Sequence, residues 1–124
     1  MTSPVLGPLY RQMADVMKNT ATQIAKEVEK LRRTIRGRLA GKPKLRDKFE
    51  KEWDKAKDTK GRRRAAAVAL GRVIGEIDEL GETVSAELAN AETELWALID
   101  LLRALEQIEG LQKHFEDLAK AYGY

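Results

Sequence analysis

The sequence predicts an all-α protein, an elongated bundle of four main helices. Apolar residues recur at helical spacing over long stretches, and no run of alternating apolar and polar residues is long enough for a useful strand. The chain's three Pro and nine Gly lie mostly at the ends of these stretches. We predict helices at about residues 8–40, 44–58, 62–80 and 83–122. Residues 1–7 are interpreted as an apolar N-terminal arm and residues 8–124 as a single helical domain.

The first predicted helix begins at Pro8, because proline lacks only an N–H that has no partner in the first helical turn. Its apolar residues fall on one narrow face when projected at 100° per residue. This face contains Tyr10, Met13, Met17, Ile24, Val28, Leu31, Ile35 and Leu39. Gly41 and Pro43 end the helix.

The second and third helices are separated by the break Asp58-Thr59-Lys60-Gly61. The second helix places Leu45, Phe49, Trp53 and Ala56 on one face. The third helix has an apolar stripe of Ala66, Leu70, Val73, Ile77 and Leu80, with Ile74 at its margin. Gly81 ends the third helix.

The fourth helix is predicted to begin at the capping residue Thr83. Its apolar residues alternate at spacings of three and four from Val84 to Leu105, as in a coiled-coil seam. The spacing then becomes three and three through Ile108 to Leu111, which rotates the apolar face. We therefore expect a kink near Gly110, with the last stretch facing a different neighbour.

The composition excludes several classes of protein. With no Cys, the chain can form neither a disulfide framework nor a thiolate metal site. No apolar run is long enough to cross a membrane, and the N-terminus lacks the pattern of a signal peptide. We expect a soluble protein of a virion or the cytoplasm that is not secreted by a signal peptide. Charged residues make up 35% of the chain, which is typical of a hyperthermophile protein or of an ordinary polar helical one.

The distribution of charge is the main functional clue. Residues 30–72 contain 17 basic and 5 acidic side chains, a net charge of +12, whereas residues 73–124 have a net charge of −9. A concentrated basic segment favours an anionic polymer as partner, and Arg binds phosphate through two oxygens at once. Three consecutive Arg at a helix N-terminus also oppose the helix dipole unless an anion meets them. The predicted phosphate-binding residues are Lys30, Arg32, Arg33, Arg36, Arg38, Lys42, Lys44, Arg46, Arg62, Arg63, Arg64 and Arg72.

Two other interpretations of the basic segment remain open. The acidic fourth helix could pack beside it and neutralise it, within the chain or between subunits. An anionic membrane surface is a third possible partner. The expected polymer is DNA or RNA, since the charge pattern alone does not distinguish them, and no membrane span is expected.

Catalysis is not expected. His114 is the only imidazole, so metal sites and nucleophile–base pairs lack components. Its neighbours Glu116 and Asp117 are interpreted as helix surface, as are the carboxylate pairs Glu92 with Glu94 and Asp78 with Glu79. No cofactor, metal or small-molecule substrate is expected.

Several residues are predicted to lie at subunit interfaces, because two long helices in a short chain cannot bury their full lengths alone. Gly71 and Gly75 leave one face of the third helix almost without side chains, which allows close approach of a helix or a phosphate backbone. Trp96 lies off the apolar stripe of its helix and is expected to be exposed. The predicted interface residues are Val5, Leu6, Gly71, Gly75, Trp96, Leu118 and Tyr122.

In architecture the chain resembles the small α-helical coat proteins of archaeal filamentous and rod-shaped DNA viruses. The features that carry this resemblance are the short arm from Pro4 to Pro8, the long helix that becomes basic at Lys30–Arg38, and the further helices with little else. The resemblance implies many copies, often as paired subunits, that wrap double-stranded DNA through Arg and Lys without reading bases. The chain is also similar in size and charge to the small helical subunits of CRISPR effector complexes.

The expected function is that of a structural nucleic-acid-binding protein that coats or scaffolds DNA as part of an assembly with itself or a related helical subunit. The alternative is a non-enzymatic protein–protein interaction module, such as a small CRISPR effector subunit, a phage-encoded inhibitor or an assembly chaperone.

Overall fold

A computed structural model describes residues 4–57, 62–81 and 85–124 of the chain. Four α-helices make up almost all of this part: α1 (Leu6–Arg38), α2 (Pro43–Lys57), α3 (Arg62–Glu79) and α4 (Ala86–Ala121). A short 3-10 turn, Leu39–Gly41, joins α1 to α2. The described residues contain no β-strand. The predicted all-α bundle of four main helices is therefore confirmed.

Helix α1 begins at Leu6, two residues earlier than predicted, so Leu6 and Gly7 belong to the helix rather than to the predicted apolar arm. The amide of Leu9 donates a hydrogen bond to the carbonyl oxygen of Val5 at 3.2 Å. Pro8 is tolerated as the third helical residue because the first N–H groups of a helix have no intrahelical acceptor.

The boundaries between the helices follow from single residues. Pro43 is the first residue of α2, where its missing N–H costs nothing. Gly81 adopts φ +56° just after α3, a conformation that glycine supplies without a steric penalty. The predicted break at residues 58–61 lies outside the described residues.

Helix α4 begins at Ala86, three residues later than predicted. The predicted cap Thr83 lies outside the described residues, and Ser85 directly precedes the helix. The Ser85 Oγ accepts a hydrogen bond from the amide of Leu88 at 3.3 Å, which satisfies one of the free N–H groups of the first turn.

The chain divides into two compact units, one from Glu27 to Arg103 and the other formed by the residues up to Lys26 together with Ala104–Tyr124. In the Glu27–Arg103 unit, α2 packs against α3. Most residues of the predicted apolar stripes form its core, but Trp53 and Leu80 are only half-buried. Ile74, which the pattern placed at a margin, is buried. The largest fully buried side chains of this unit are Phe49, Ile35, Leu39, Leu70, Ile77, Leu95, Leu98, Leu102 and Val73.

The second unit consists of the first part of α1 and the last part of α4. The ring of Tyr10 lies 6.3 Å from that of Phe115 and 5.8 Å from that of Tyr122. Gly7 is buried, and a Cβ added to it would overlap the ring of Tyr124. The start of α1 therefore lies beside the end of α4, and glycine allows the terminal tyrosine to approach closely.

Helix α4 is continuous through Gly110, where the sequence predicts a kink. Ala119 lies two heptads after Leu105 and is fully buried, whereas Leu111 is exposed. Ala119 therefore continues the buried face of α4, although at the intervening heptad positions Glu109 is exposed and Gln112 is half-buried. The apolar residues at the shifted spacing lie beside that face rather than on it.

Candidate nucleic-acid interface

All twelve predicted phosphate-binding residues belong to the Glu27–Arg103 unit. Lys30 to Arg38 lie on the last turns of α1, Lys42 precedes α2, and Lys44 and Arg46 lie on its first turn. Arg62 begins α3, but its side chain lies outside the described part of the structure. Arg63, Arg64 and Arg72 follow on the same helix.

One group of these cations takes part in ion pairs between α1 and α2. Glu50 of α2 lies 3.5 Å from the guanidinium of Arg32 and 3.6 Å from that of Arg36. Arg32 also donates a hydrogen bond from Nε to Glu29 at 3.1 Å. This hydrogen bond raises the pKa of Arg32. Arg32 therefore has a structural role in holding α2 against α1.

A second set of ion pairs joins α1 to α4. The Nε of Arg38 donates a hydrogen bond to Glu94 at 2.6 Å, and its Nη1 lies 3.3 Å from Glu87. The hydrogen bond to Glu94 raises the pKa of Arg38. The acidic fourth helix therefore neutralises part of the basic segment within one chain. This is the alternative interpretation in which the fourth helix packs beside the basic segment.

Two of the ion pairs are asymmetric in their exposure. The side chain of Arg36 is 61% exposed while its partner Glu50 is 28% exposed. Arg72 is 63% exposed, and its partner Glu52, at 3.8 Å, is 14% exposed. In both pairs the carboxylate faces the protein and the guanidinium faces solvent. A guanidinium with five N–H donors retains donors for a second anion in this arrangement.

Four of the predicted cations are exposed and have no ion-pair partner among the described residues: Lys30, Lys42, Lys44 and Arg64. Arg33 is exposed and lies 3.8 Å from Glu29, and Arg46 lies 3.5 Å from Asp47. Such exposed pairs contribute little to stability, so they leave these cations available for another anion.

Sequence reasoning did not include the lysines further along α2. Lys51 and Lys55 are exposed, and they lie at helical spacing from Lys44 and Lys48 on one face. Lys48 pairs with Glu76 of α3. The spacing of four, three and four residues between Lys44, Lys48, Lys51 and Lys55 would have identified this row from the sequence.

A shallow groove of about 350 Å³ runs between α2 and α3. Ala56, Ala65, Val68 and Ala69 form its apolar part, and Glu52, Lys55 and Arg72 supply its charges. Gly71 and Gly75 lie on α3, where a Cβ on either glycine would meet no atom within 4 Å. The small-residue face of α3 is therefore open in a single chain.

The other predicted interface residues differ in exposure. Val5, Leu6 and Trp96 are exposed, as expected for Trp96 from its position off the stripe. Leu118 and Tyr122 are half-buried, and Tyr122 contacts Tyr10 within the same chain.

His114 is exposed, with its ring 5.5 Å from that of Phe115. Among residues 4–57, 62–81 and 85–124, no three His, Asp or Glu side chains come together as metal ligands. No helix in the same ranges is both long and apolar enough to cross a membrane.

The carboxyl groups of Asp78 and Glu92 form a close pair. A hydrogen bond with Asp78 raises the pKa of Glu92, so Glu92 is protonated up to a higher pH in the folded protein than in the unfolded chain. The stabilising effect of this pair is complete below the ordinary pKa of about 4.5 and is lost as the pH rises through the higher pKa of the folded state.

We expect Glu92→Gln to raise the midpoint of thermal unfolding at pH 7 by ~1–3 °C, because it removes the repulsion from Asp78. The gain should disappear near pH 4, where Glu92 is protonated in the wild-type protein. Thermal unfolding followed by circular dichroism at both pH values tests this. Glu106→Gln, an exposed residue of the same helix, is the control; an equal gain in that variant contradicts the prediction.

The comparisons with known proteins give no relative. No protein-family model matches the chain, and searches of curated proteins and of solved structures find no match.

Proposed function

We propose that the protein is a structural nucleic-acid-binding protein that coats or scaffolds DNA through contacts between its cations and the phosphates, without reading the bases. The observation that carries the proposal is the outward orientation of positive charge in the Glu27–Arg103 unit. Arg36 and Arg72 face solvent over carboxylates that face the protein. A surface of this kind attracts a polyanion even though the chain's total net charge is only +3.

The proposed interface consists of the cations that remain exposed. It contains Lys30, Arg33, Arg36, Lys42, Lys44, Lys51, Lys55, Arg64 and Arg72. Arg32 and Arg38 are left out because their side chains are the least exposed of the predicted arginines in ion pairs and link α1 to other helices. Binding is then electrostatic and indifferent to base sequence, since phosphate contacts carry no sequence information.

Double-stranded DNA is the proposed polymer and RNA the alternative. Long exposed Lys and Arg side chains on helices suit a regular row of phosphates. Trp53 is half-buried on α2, in line with a role in packing rather than as a platform for stacked bases. The proposed setting is an assembly of many copies, as in the viral coat proteins that the chain resembles in architecture.

A matched pair of variants tests the interface. The test variant replaces Lys30, Arg33, Lys42 and Lys44 with Ala. The control variant replaces Lys18, Arg11, Lys113 and Lys120 with Ala, and thus removes the same residue types and the same charge from the other unit. Affinity for a 30-base-pair duplex is measured by fluorescence anisotropy at several salt concentrations.

We expect the test variant to bind ~10²–10³-fold more weakly at 0.15 M salt and its salt slope to fall by about one unit for each lost phosphate contact. The control variant should stay within about fivefold of wild type. Equal losses of affinity in both variants would show that binding depends on net charge alone and would contradict binding through this interface. Absence of binding by the wild-type protein at 50 mM salt would refute the proposed function.

The second candidate is a protein–protein interaction module, and the exposure of Trp96 favours it. This indole is 52% exposed on α4, one turn from Glu92 and from Asp100. An exposed Trp among acidic residues is typical of an anchor for a basic partner. A protein that binds no nucleic acid but loses a protein partner in Trp96→Ala would support this function instead.

A further inference from the structure

Two consecutive ion pairs join α2 to α3 and define how the two helices lie against each other. Lys48 pairs with Glu76, and Glu52 lies 3.8 Å from the guanidinium of Arg72. The second pair lies four residues later on α2 and four residues earlier on α3, about one helical turn on each. The two helices are therefore antiparallel, and the ion pairs fix their register.

One turn further along, the ion pairs end and the groove of about 350 Å³ begins. The same register places Ala56 of α2 opposite Val68 of α3, and both residues line the groove. Ala69, which is buried, and Ala65, which is exposed, complete its apolar floor. Small apolar side chains thus occupy the positions at which a third ion pair would follow.

Cations outnumber carboxylates around this groove. Lys55 lines it and has no ion-pair partner among the described residues. Arg64, one turn before Val68 on the same face of α3, is exposed and likewise has no such partner in the described part of the chain. Arg72 is 63% exposed and already neutralises Glu52, whose side chain is 14% exposed. The groove therefore attracts an anion.

The apolar floor limits what this anion can be. Of the floor residues that the structure describes, Val68 is the only one larger than alanine. An amphipathic protein helix binds mainly by burying several large apolar side chains, and this floor offers little area for them. A sugar–phosphate backbone needs less, because its phosphates contact cations while the C–H groups of its sugars lie on the floor.

The length of the groove suits a backbone that runs along the helices. Arg64 and Arg72 are eight residues apart on α3, which corresponds to ~12 Å along the helix axis. A strand of duplex DNA advances ~3.4 Å per nucleotide, so the cations on this side span about three to four nucleotides. Because the groove is shallow, a strand can enter it without leaving its partner strand.

We propose that the groove between α2 and α3 receives the sugar–phosphate backbone of one strand of the nucleic acid. Its phosphates lie between Lys55 on one side and Arg64 and Arg72 on the other, and its sugars contact Ala65 and Val68. This inference rests on the proposed function and adds the position and direction of the bound strand.

Two exposed alanines of the Glu27–Arg103 unit provide a matched test. Ala65 lines the groove on α3, and Ala97 lies on α4. Ala65→Phe fills the groove without changing any charge, and Ala97→Phe adds the same side chain elsewhere. Ala65→Glu places a carboxylate among the cations, with Ala97→Glu as its control. Fluorescence anisotropy measures binding of the full-length variants to the 30-base-pair duplex from 50 to 200 mM salt, and far-UV circular dichroism reports their helix content.

Ala65→Phe should weaken binding ~10-fold at 0.15 M salt and reduce the magnitude of the salt slope by about one to two units, because displacing the strand removes phosphate contacts. A substitution that changes no charge has no other direct effect on the slope. Ala65→Glu should weaken binding by ~10–30-fold through repulsion of the phosphates. Both Ala97 variants should stay within about threefold of wild type, with helix content retained in all four.

Equal affinities and salt slopes for Ala65→Phe and Ala97→Phe would overturn the strand position, while duplex binding by the wild-type protein would leave the proposed function intact. Absence of wild-type binding at 50 mM salt would overturn both.

Poly-glutamate tests for an acidic protein as the occupant instead. It should compete at least ~10-fold less well than duplex DNA, because an extended peptide carries about half the charge per unit length. Stronger competition by poly-glutamate than by the duplex, abolished by Ala65→Phe, would assign the groove to an acidic protein and overturn the proposal.

Discussion

Raising the salt concentration from 50 to 200 mM is expected to weaken binding to duplex DNA by ~10³–10⁴-fold. Each phosphate contact releases condensed counterions from the duplex, so the logarithm of affinity falls linearly with the logarithm of salt concentration. If six to eight of the exposed cations contact phosphate, the slope is roughly −5 to −7. This is the largest effect that we expect of any change in the protein or its solution.

Fluorescence anisotropy with duplexes of unrelated sequence provides the measurement. The slope should be the same for each sequence, because no base is read. Far-UV circular dichroism at both salt concentrations is the control for the fold, since the partly buried pair Arg38–Glu94 should resist screening. A slope near −1, or a strong preference for one duplex, would contradict binding through this surface.

Phe49→Ala should have the largest effect on stability, lowering the free energy of unfolding by ~3–5 kcal/mol. Phe49 is fully buried on α2, so the substitution removes its apolar contacts and leaves a cavity that neighbouring helices fill only in part. A domain of this size is stable by ~5–15 kcal/mol, so the loss is a large fraction of the total.

Urea unfolding followed at 222 nm measures this loss. Trp96→Ala is the control, because its indole is half exposed and its removal should cost less than ~1 kcal/mol. Equal losses in the two variants would mean that Phe49 does not belong to the core. Because α2 carries much of the proposed interface, Phe49→Ala should also weaken DNA binding at temperatures at which the variant unfolds.

Helix periodicity accounts for most of what could be predicted about the fold. The stripes on α2 and α3 identify Phe49, Ala56, Leu70 and Val73 as core, and all four are buried. The helix boundaries were predicted less accurately. Pro8 suggested the first helical position, yet α1 begins at Leu6. Proline fits any position of the first turn, since none of the first four N–H groups has an intrahelical acceptor, so Pro8 did not fix the exact start.

The change in the spacing of apolar residues after Leu105 shows that periodicity alone does not determine which of them are buried. The sequence identifies a rotated stripe on α4, and the structure shows that Leu111 lies on the exposed side of it while Ala119 remains on the buried line. A small buried residue such as Ala contributes little to a hydrophobic pattern. Its burial depends on the helix that packs against it, which the local sequence does not specify.

The sequence by itself determined the helical class, the core faces and the segregation of charge, because these depend on residues a few positions apart in the chain. Only the tertiary structure decided which cations are neutralised. Arg38 meets Glu94, 56 residues away, whereas Lys42 and Lys44 have no ion-pair partner among the described residues. Ion pairing requires side chains within about 4 Å of each other, and that proximity is set by which helix faces pack together.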